Sequence, residues 1–150
     1  MRLSGGDVRE KLTRAVNRGK GWKTPGHKTL LSHKWFYTMD VTQTIWMARD
    51  AAFKLRHTSP GATCGTYSKH VAGQALEYGN RHRLGVLPFG WWSADMINGH
   101  PTHMTNWTIV NDGSVYVMDM MFAKVSTNQP VNEWLFRVGA NDGPFYNSEC

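Results

Sequence analysis

Cys64, His103 and Asp119 have the types and placement that nucleophilic chemistry requires. Cys64 follows Pro60-Gly61-Ala62-Thr63 and opens a helix-like run. A thiol there faces unpaired backbone N–H groups and the positive end of the helix dipole, and both favour an anionic sulfur. His103 begins a strand-like run and is of the type that takes and returns a proton. Asp119 lies in an otherwise apolar stretch from Val115 to Phe122. A carboxylate in such a stretch is costly unless it finds a partner. A structural reading stays open for each: Cys64 packs, His103 ends a strand, and Asp119 bonds a hydroxyl such as that of Thr105.

These residues meet only if the surrounding elements place them together. Residues 41–57 carry Ile45, Ala48, Ala52 and Leu55 at helical spacing behind a cap at Asp40 or Thr42, and Ser59-Pro60-Gly61 ends the run. From Cys64 to about Tyr78, the residues Tyr67, Val71, Ala75 and Tyr78 line a second helical face, with Gly79 and Asn80 as the stop. The period then changes. Val86 to Trp92 reads as a strand, and Pro88 places it at an edge. Residues 103–110 and 114–122 are rich in β-branched and aromatic residues, and Asn111-Asp112-Gly113 between them signals a hairpin. A last strand is expected over Trp134–Val138. Helices followed by an antiparallel sheet make an α+β domain.

The hairpin loop decides whether His103 reaches Asp119. A three-residue loop with Gly113 left-handed pairs Val110 with Ser114, sets Asp119 opposite Thr105, and makes His103 its diagonal neighbour. A two-residue Asp112-Gly113 turn puts the two on opposite faces. The sequence permits both.

The order of these parts resembles the transglutaminase-like cysteine peptidase superfamily. His103-Met104-Thr105-Asn106-Trp107, then Asp112-Gly113, then Val115-Tyr116-Val117-Met118-Asp119 is similar to that family's His and Asp strands. Cys64-Gly65-Thr66-Tyr67-Ser68-Lys69, with Leu76 and Gly79 after it, resembles the Cys helix of the bacterial transglutaminase-like proteinase branch. The resemblance covers residues 60–122. It departs at Gly65 and Thr66, where that branch commonly has acidic residues, and at Asn106-Trp107, where a more aliphatic strand is common. It implies a papain-like or transglutaminase-like core and a Cys-His-Asp triad acting on a peptide or other amide, with no cofactor. Cys64 would attack the carbonyl, His103 would carry the proton, and Asp119 would orient the imidazole. The oxyanion hole would use the Cys64 N–H and one further donor, with Gln43 and Trp46 as candidates.

Charge is distributed unevenly. Residues 1–34 hold nine lysines and arginines against two carboxylates, whereas the remainder holds eight against nine. This reads as a basic N-terminal arm, 1–34, on a single domain, 35–150. A short helix is expected at 7–18, with Asp7 as cap and Gly19 as stop, followed by a loop. Arg2, Arg9, Lys11, Arg14, Arg18, Lys20, Lys23 and Lys28 then suit nucleic acid or an acidic surface on a partner subunit. A solvated tail is the equal alternative. The aromatic content is 12%, and in the adjacent pair Trp91-Trp92 one ring must face away from the other. With the arm, this supports a second function: a non-enzymatic assembly or virion component, phage-like, in a homo- or hetero-oligomer.

With 150 residues, 41% hydrophobic and 19% charged, the chain is too apolar to be disordered. A domain of this size buries roughly 70% of its unfolded surface. No apolar run approaches the ~18 residues of a membrane span. The N-terminus lacks the apolar segment of a secretory signal, so a cytoplasmic or virion-packaged location is expected. Two cysteines, Cys64 and Cys150, are too few for a disulfide scaffold and read as thiols. His100-Pro101-Thr102-His103 with Cys64 is a third possibility, a zinc site, but the spacing fits a loop and supplies only three ligands, so no metal is expected.

Overall fold

The computed structural model describes residues 1–24, 29–55, 63–120, 130–146, 148 and 150. The chain begins with β1 (Arg2–Ser4) and α1 (Gly5–Val16), continues through β2 (Trp35–Tyr37), α2 (Val41–Leu55) and α3 (Cys64–Arg81), and then lays down β3 (Phe89–Ile97), β4 (His100–Ile109), β5 (Val115–Met118) and β6 (Leu135–Phe136). β3 to β6 form an antiparallel sheet in sequence order, and β1 pairs separately with β2. This is an α+β fold, as the succession of periods predicts. No helix among the described residues is long and apolar enough to cross a membrane.

Each helix start has a local cause. The Ser4 hydroxyl accepts from Asp7 N–H while the Asp7 carboxylate accepts from Ser4 N–H, a reciprocal cap for α1. Ser4, not Asp7, is therefore the capping residue. Asp40 and Gln43 cap α2 by the same exchange, at 2.7 and 3.2 Å. Thr63 caps α3 by accepting from Thr66 N–H at 3.2 Å. α3 runs through Gly79 instead of stopping there. A Cβ at Gly79 would lie 2.4 Å from the Gly85 carbonyl oxygen, so glycine lets the returning chain pass close to the helix.

The hairpin adopts the longer loop. Gly113 has φ 84°, and Val110 N–H donates to Ser114 O at 3.0 Å. Ile109 pairs with Val115 and Asn106 with Met118. Continuing this register sets Asp119 across from Thr105. β3 begins later than expected, at Phe89, and runs to Ile97. It turns into β4 through Asn98 and Gly99, both left-handed at φ 51° and 79°.

Two apolar clusters are built on the sheet. One joins Val8, Leu12 and Val16 of α1 to Trp92, Trp107, Val117 and Phe145. The other joins Met47, Ala48 and Ala51 of α2 and Val71 and Ala75 of α3 to Phe89, Met118 and Leu135. α1 is thus part of the core, with Val8, Leu12 and Val16 at 0% exposure. Residues on both sides of position 34 thus share one apolar cluster. β1 lies in a ladder with β2, and Lys20 N–H, Lys23 N–H and Gly21 O are hydrogen-bonded to residues 142 and 145. Arg9 and Arg14 of α1 are exposed and Lys11 half-buried, while Val8, Leu12 and Val16 of the same helix are buried.

β3 has only β4 as a full ladder partner. Residues 143–145 run along its other side: Ser93 O accepts from Tyr146 N–H, Met96 O from Gly143 N–H, and Asp95 N–H donates to Pro144 O. Lys23 and Tyr146 both bond the Asp95 carboxylate and pin this stretch in place.

Candidate active site

α3 brings Cys64 to the sheet and β4 brings His103. The connection between them is polar and buried. Ser68, one turn after Cys64, donates its hydroxyl to Met104 O at 3.2 Å. Asn106 Nδ2 donates to Ser68 O at 2.8 Å and to Gly90 O at 3.1 Å. One buried amide thus ties α3, β3 and β4 together beside the thiol. The departure from an aliphatic strand at Asn106 is what makes this tie. Neither Ser68 nor Asn106 was singled out by sequence reasoning; a lone amide in an apolar strand was the available signal.

His103 is 3% exposed and Asp119 5%. His103 Nε2 lies 2.9 Å from Asp119 Oδ2. Asp119 sits just past β5, where its N–H donates to Trp134 O at 2.8 Å. The Cys64 side chain lies near enough to the same imidazole to act on its charge. Burial opposes charging this ring, but the hydrogen bond and charge of Asp119, followed by Cys64, outweigh it and raise the His103 pKa. Of the residues selected from sequence, Cys64, His103 and Asp119 are therefore brought together. His100 stands beside them, its ring centroid 5.3 Å from that of His103.

The other selected residues are placed differently. Gln43 caps α2, and Trp46 is 58% exposed on the same helix. Arg2 stacks over Trp35 at 4.2 Å, Arg9 bonds Thr29 O, and Lys23 pairs with Asp95. Lys11, Arg14 and Arg18 line a concavity against the β4–β5 turn. Lys20 is fixed through its backbone, and Lys28 lies outside the described residues, as do Pro60, Gly61 and Ala62. Among the described residues no group of three or more His, Cys, Asp or Glu side chains is placed to hold a metal.

Both cysteines are free thiols. Cys150 does not fray: its N–H donates to Leu30 O, and burial pushes its thiol up to about 11. It lines an apolar groove of about 230 Å³ with Leu76, Phe89 and Trp91. None of Cys64, His103 and Asp119 lines that groove.

No protein family model matches the chain, and no curated protein matches it. Among solved structures, it is similar to a PSL1a–E64 complex over 99% of this chain and 51% of that one, with a TM-score of 0.64 and 15% identity. At that identity the likeness concerns the fold. The chain spans about half the length of the chain in that complex.

Proposed function

We propose that the chain is a cysteine hydrolase or acyltransferase of transglutaminase-like type, acting on an amide bond of a peptide. The observation that carries this reading is the buried His103 ring, hydrogen-bonded to Asp119, with the Cys64 side chain near enough to act on its charge. In this reaction His103 takes the Cys64 thiol proton and becomes imidazolium, the sulfur attacks the amide carbonyl carbon, and the electron pair of the C=O bond moves to oxygen. The Cys64 N–H, at the open start of α3, faces that oxygen. The C–N bond then breaks, the amine leaves with a proton from the His103 imidazolium, and a thioester remains. Water or a second amine, deprotonated by His103, attacks the thioester and restores the thiol. Asp119 holds the ring's tautomer throughout and balances its positive charge.

The test is native-state alkylation by iodoacetamide at pH 7, resolved by peptide mass. Cys150, pushed up to about 11, is almost wholly protonated at that pH and serves as an internal reference. Cys64 should label faster by roughly tenfold or more, and His103→Ala should remove most of that advantage. Equal, slow labelling of both cysteines until the protein is denatured would sink the proposal. It would favour the assembly component, for which the exposed Trp46 and Phe53 of α2, each 58% exposed, offer an apolar face.

A further inference from the structure

A second site lies at the far end of β4 from His103. Lys11, Arg14 and Arg18 fall on one face of α1 and its C-terminal extension, at spacings of three and four. The fold brings Arg137, more than a hundred residues later, to the same place. The four side chains and the turn Asp112-Gly113 line a concavity of about 410 Å³. Contacts hold several of them there. A Cβ built on Gly113 would lie 2.9 Å from Lys11 Nζ, so the ammonium reaches over the turn. Arg18 Nε donates to Val138 O at 3.4 Å, next to Arg137. Arg14 pairs with Glu10 on its outer side.

Among the described residues, Asp112 is the one carboxylate lining this space. Its Oδ1 accepts from Ser114 N–H at 2.8 Å, which turns it into the loop, and Arg137 interacts with its charge. The concavity thus gathers four cations with Asp112, while Glu10 pairs with one of them, Arg14. Gathering like charges costs stability, and a bound anion relieves that cost. Three of the cations are guanidinium forks, which match phosphate oxygens in pairs. None of the described lining residues is aromatic, and the ring of Tyr116 lies 5.8 Å from Arg137 with that guanidinium over its face, so the lining itself offers bases no stacking platform. The volume suits a compact ligand. We infer that the concavity between α1 and the β4–β5 turn binds a compact ligand bearing two or more phosphates, independently of the chemistry at Cys64.

The probe is inorganic tripolyphosphate, titrated calorimetrically into the full chain at about 50 mM and about 200 mM salt. Saturable one-site binding that weakens with salt is expected, together with a rise in melting temperature. Arg137→Gln and Lys11→Gln should each weaken binding by roughly fivefold or more, as loss of a charge-assisted contact does. Asp112→Asn should tighten it. Lys34→Gln, another basic residue of the first 34 but outside the concavity, should leave it unchanged. Arg137 and Lys11 are on different elements, so unfolding of one variant leaves the other to decide. Absence of saturable binding overturns the inference. So does an equal loss with Lys34→Gln, which marks diffuse attraction. Tighter binding of a single-stranded oligonucleotide, lost equally on Arg2→Gln, also overturns it and assigns an extended polyanion surface instead.

Discussion

Thr102 holds φ 47° in the residue before His103. A β-branched side chain rarely adopts that conformation, and holding it there costs of order 1–3 kcal/mol. Asp95, its expected partner across the β3–β4 ladder, donates its N–H to Pro144 O instead. Thr102 immediately precedes His103 in β4, so its backbone conformation bears on where the imidazole is presented. Thr102→Gly should raise stability by about 1 kcal/mol, because glycine tolerates the conformation. It should also slow alkylation of Cys64, because the ring loses a fixed approach. A stabilised variant with unchanged labelling would separate the strain from the site. His103 itself gives a pH signature. Its folded pKa is raised above the ordinary 6.5, so the charged ring's contribution to stability is full below that value. It is lost as pH rises through the folded value. The melting-temperature gap between wild type and His103→Gln should therefore be wider at pH 5.5 than at pH 9, and a gap that widens with pH would contradict this account.

α3 starts where it does because Thr63 takes up the Thr66 N–H, so the cap and the thiol are adjacent in the chain. Thr63→Ala should cost about 1 kcal/mol of stability, read by denaturant unfolding, and should slow Cys64 labelling more than that loss alone explains. α1 makes a different demand. Leu12 is fully buried between Trp-rich strands and the helix, and Leu12→Ala should cost ~2–5 kcal/mol. A loss under 1 kcal/mol would return the segment to the status of an arm. The strand-turn-strand order is legible in Asn111-Asp112-Gly113, but the residues allow two registers, and it is the observed three-residue loop, with Gly113 left-handed, that sets His103 diagonal to Asp119. The start of α3 at Cys64 was readable, since capping is a local interaction. α1 was not, because its many exposed cations mask a buried stripe of Val8, Leu12 and Val16 whose partners are a hundred residues away. β3 was cut short at Trp92 although Asn98-Gly99, with two left-handed residues, carried the signal for a tight hairpin further on. The gathering of Lys11 with Arg137 is purely tertiary and leaves no mark in the linear sequence.

At the scale of the whole molecule, the two ends of the chain close on each other. Phe145 is fully buried, bridges to both Trp22 and Ala94, and stacks on Trp92 with centroids 4.5 Å apart. Gly19 is packed against this junction, and a Cβ there would fall 2.3 Å from Asp142 O. Gly19→Ala should therefore destabilise the protein by a few kcal/mol, on the order of other forced overpacking, and a melting curve like that of wild type would refute the tight junction. The stretch from Gly143 to Tyr146 also governs behaviour at high concentration. It occupies the backbone groups of β3 that would otherwise present an unpaired, Trp-bearing strand to any second molecule. A version stopped after Ala140 would carry an open template at that strand, and its copies should polymerise strand to strand, with light scattering that climbs with protein concentration while the intact chain stays clear.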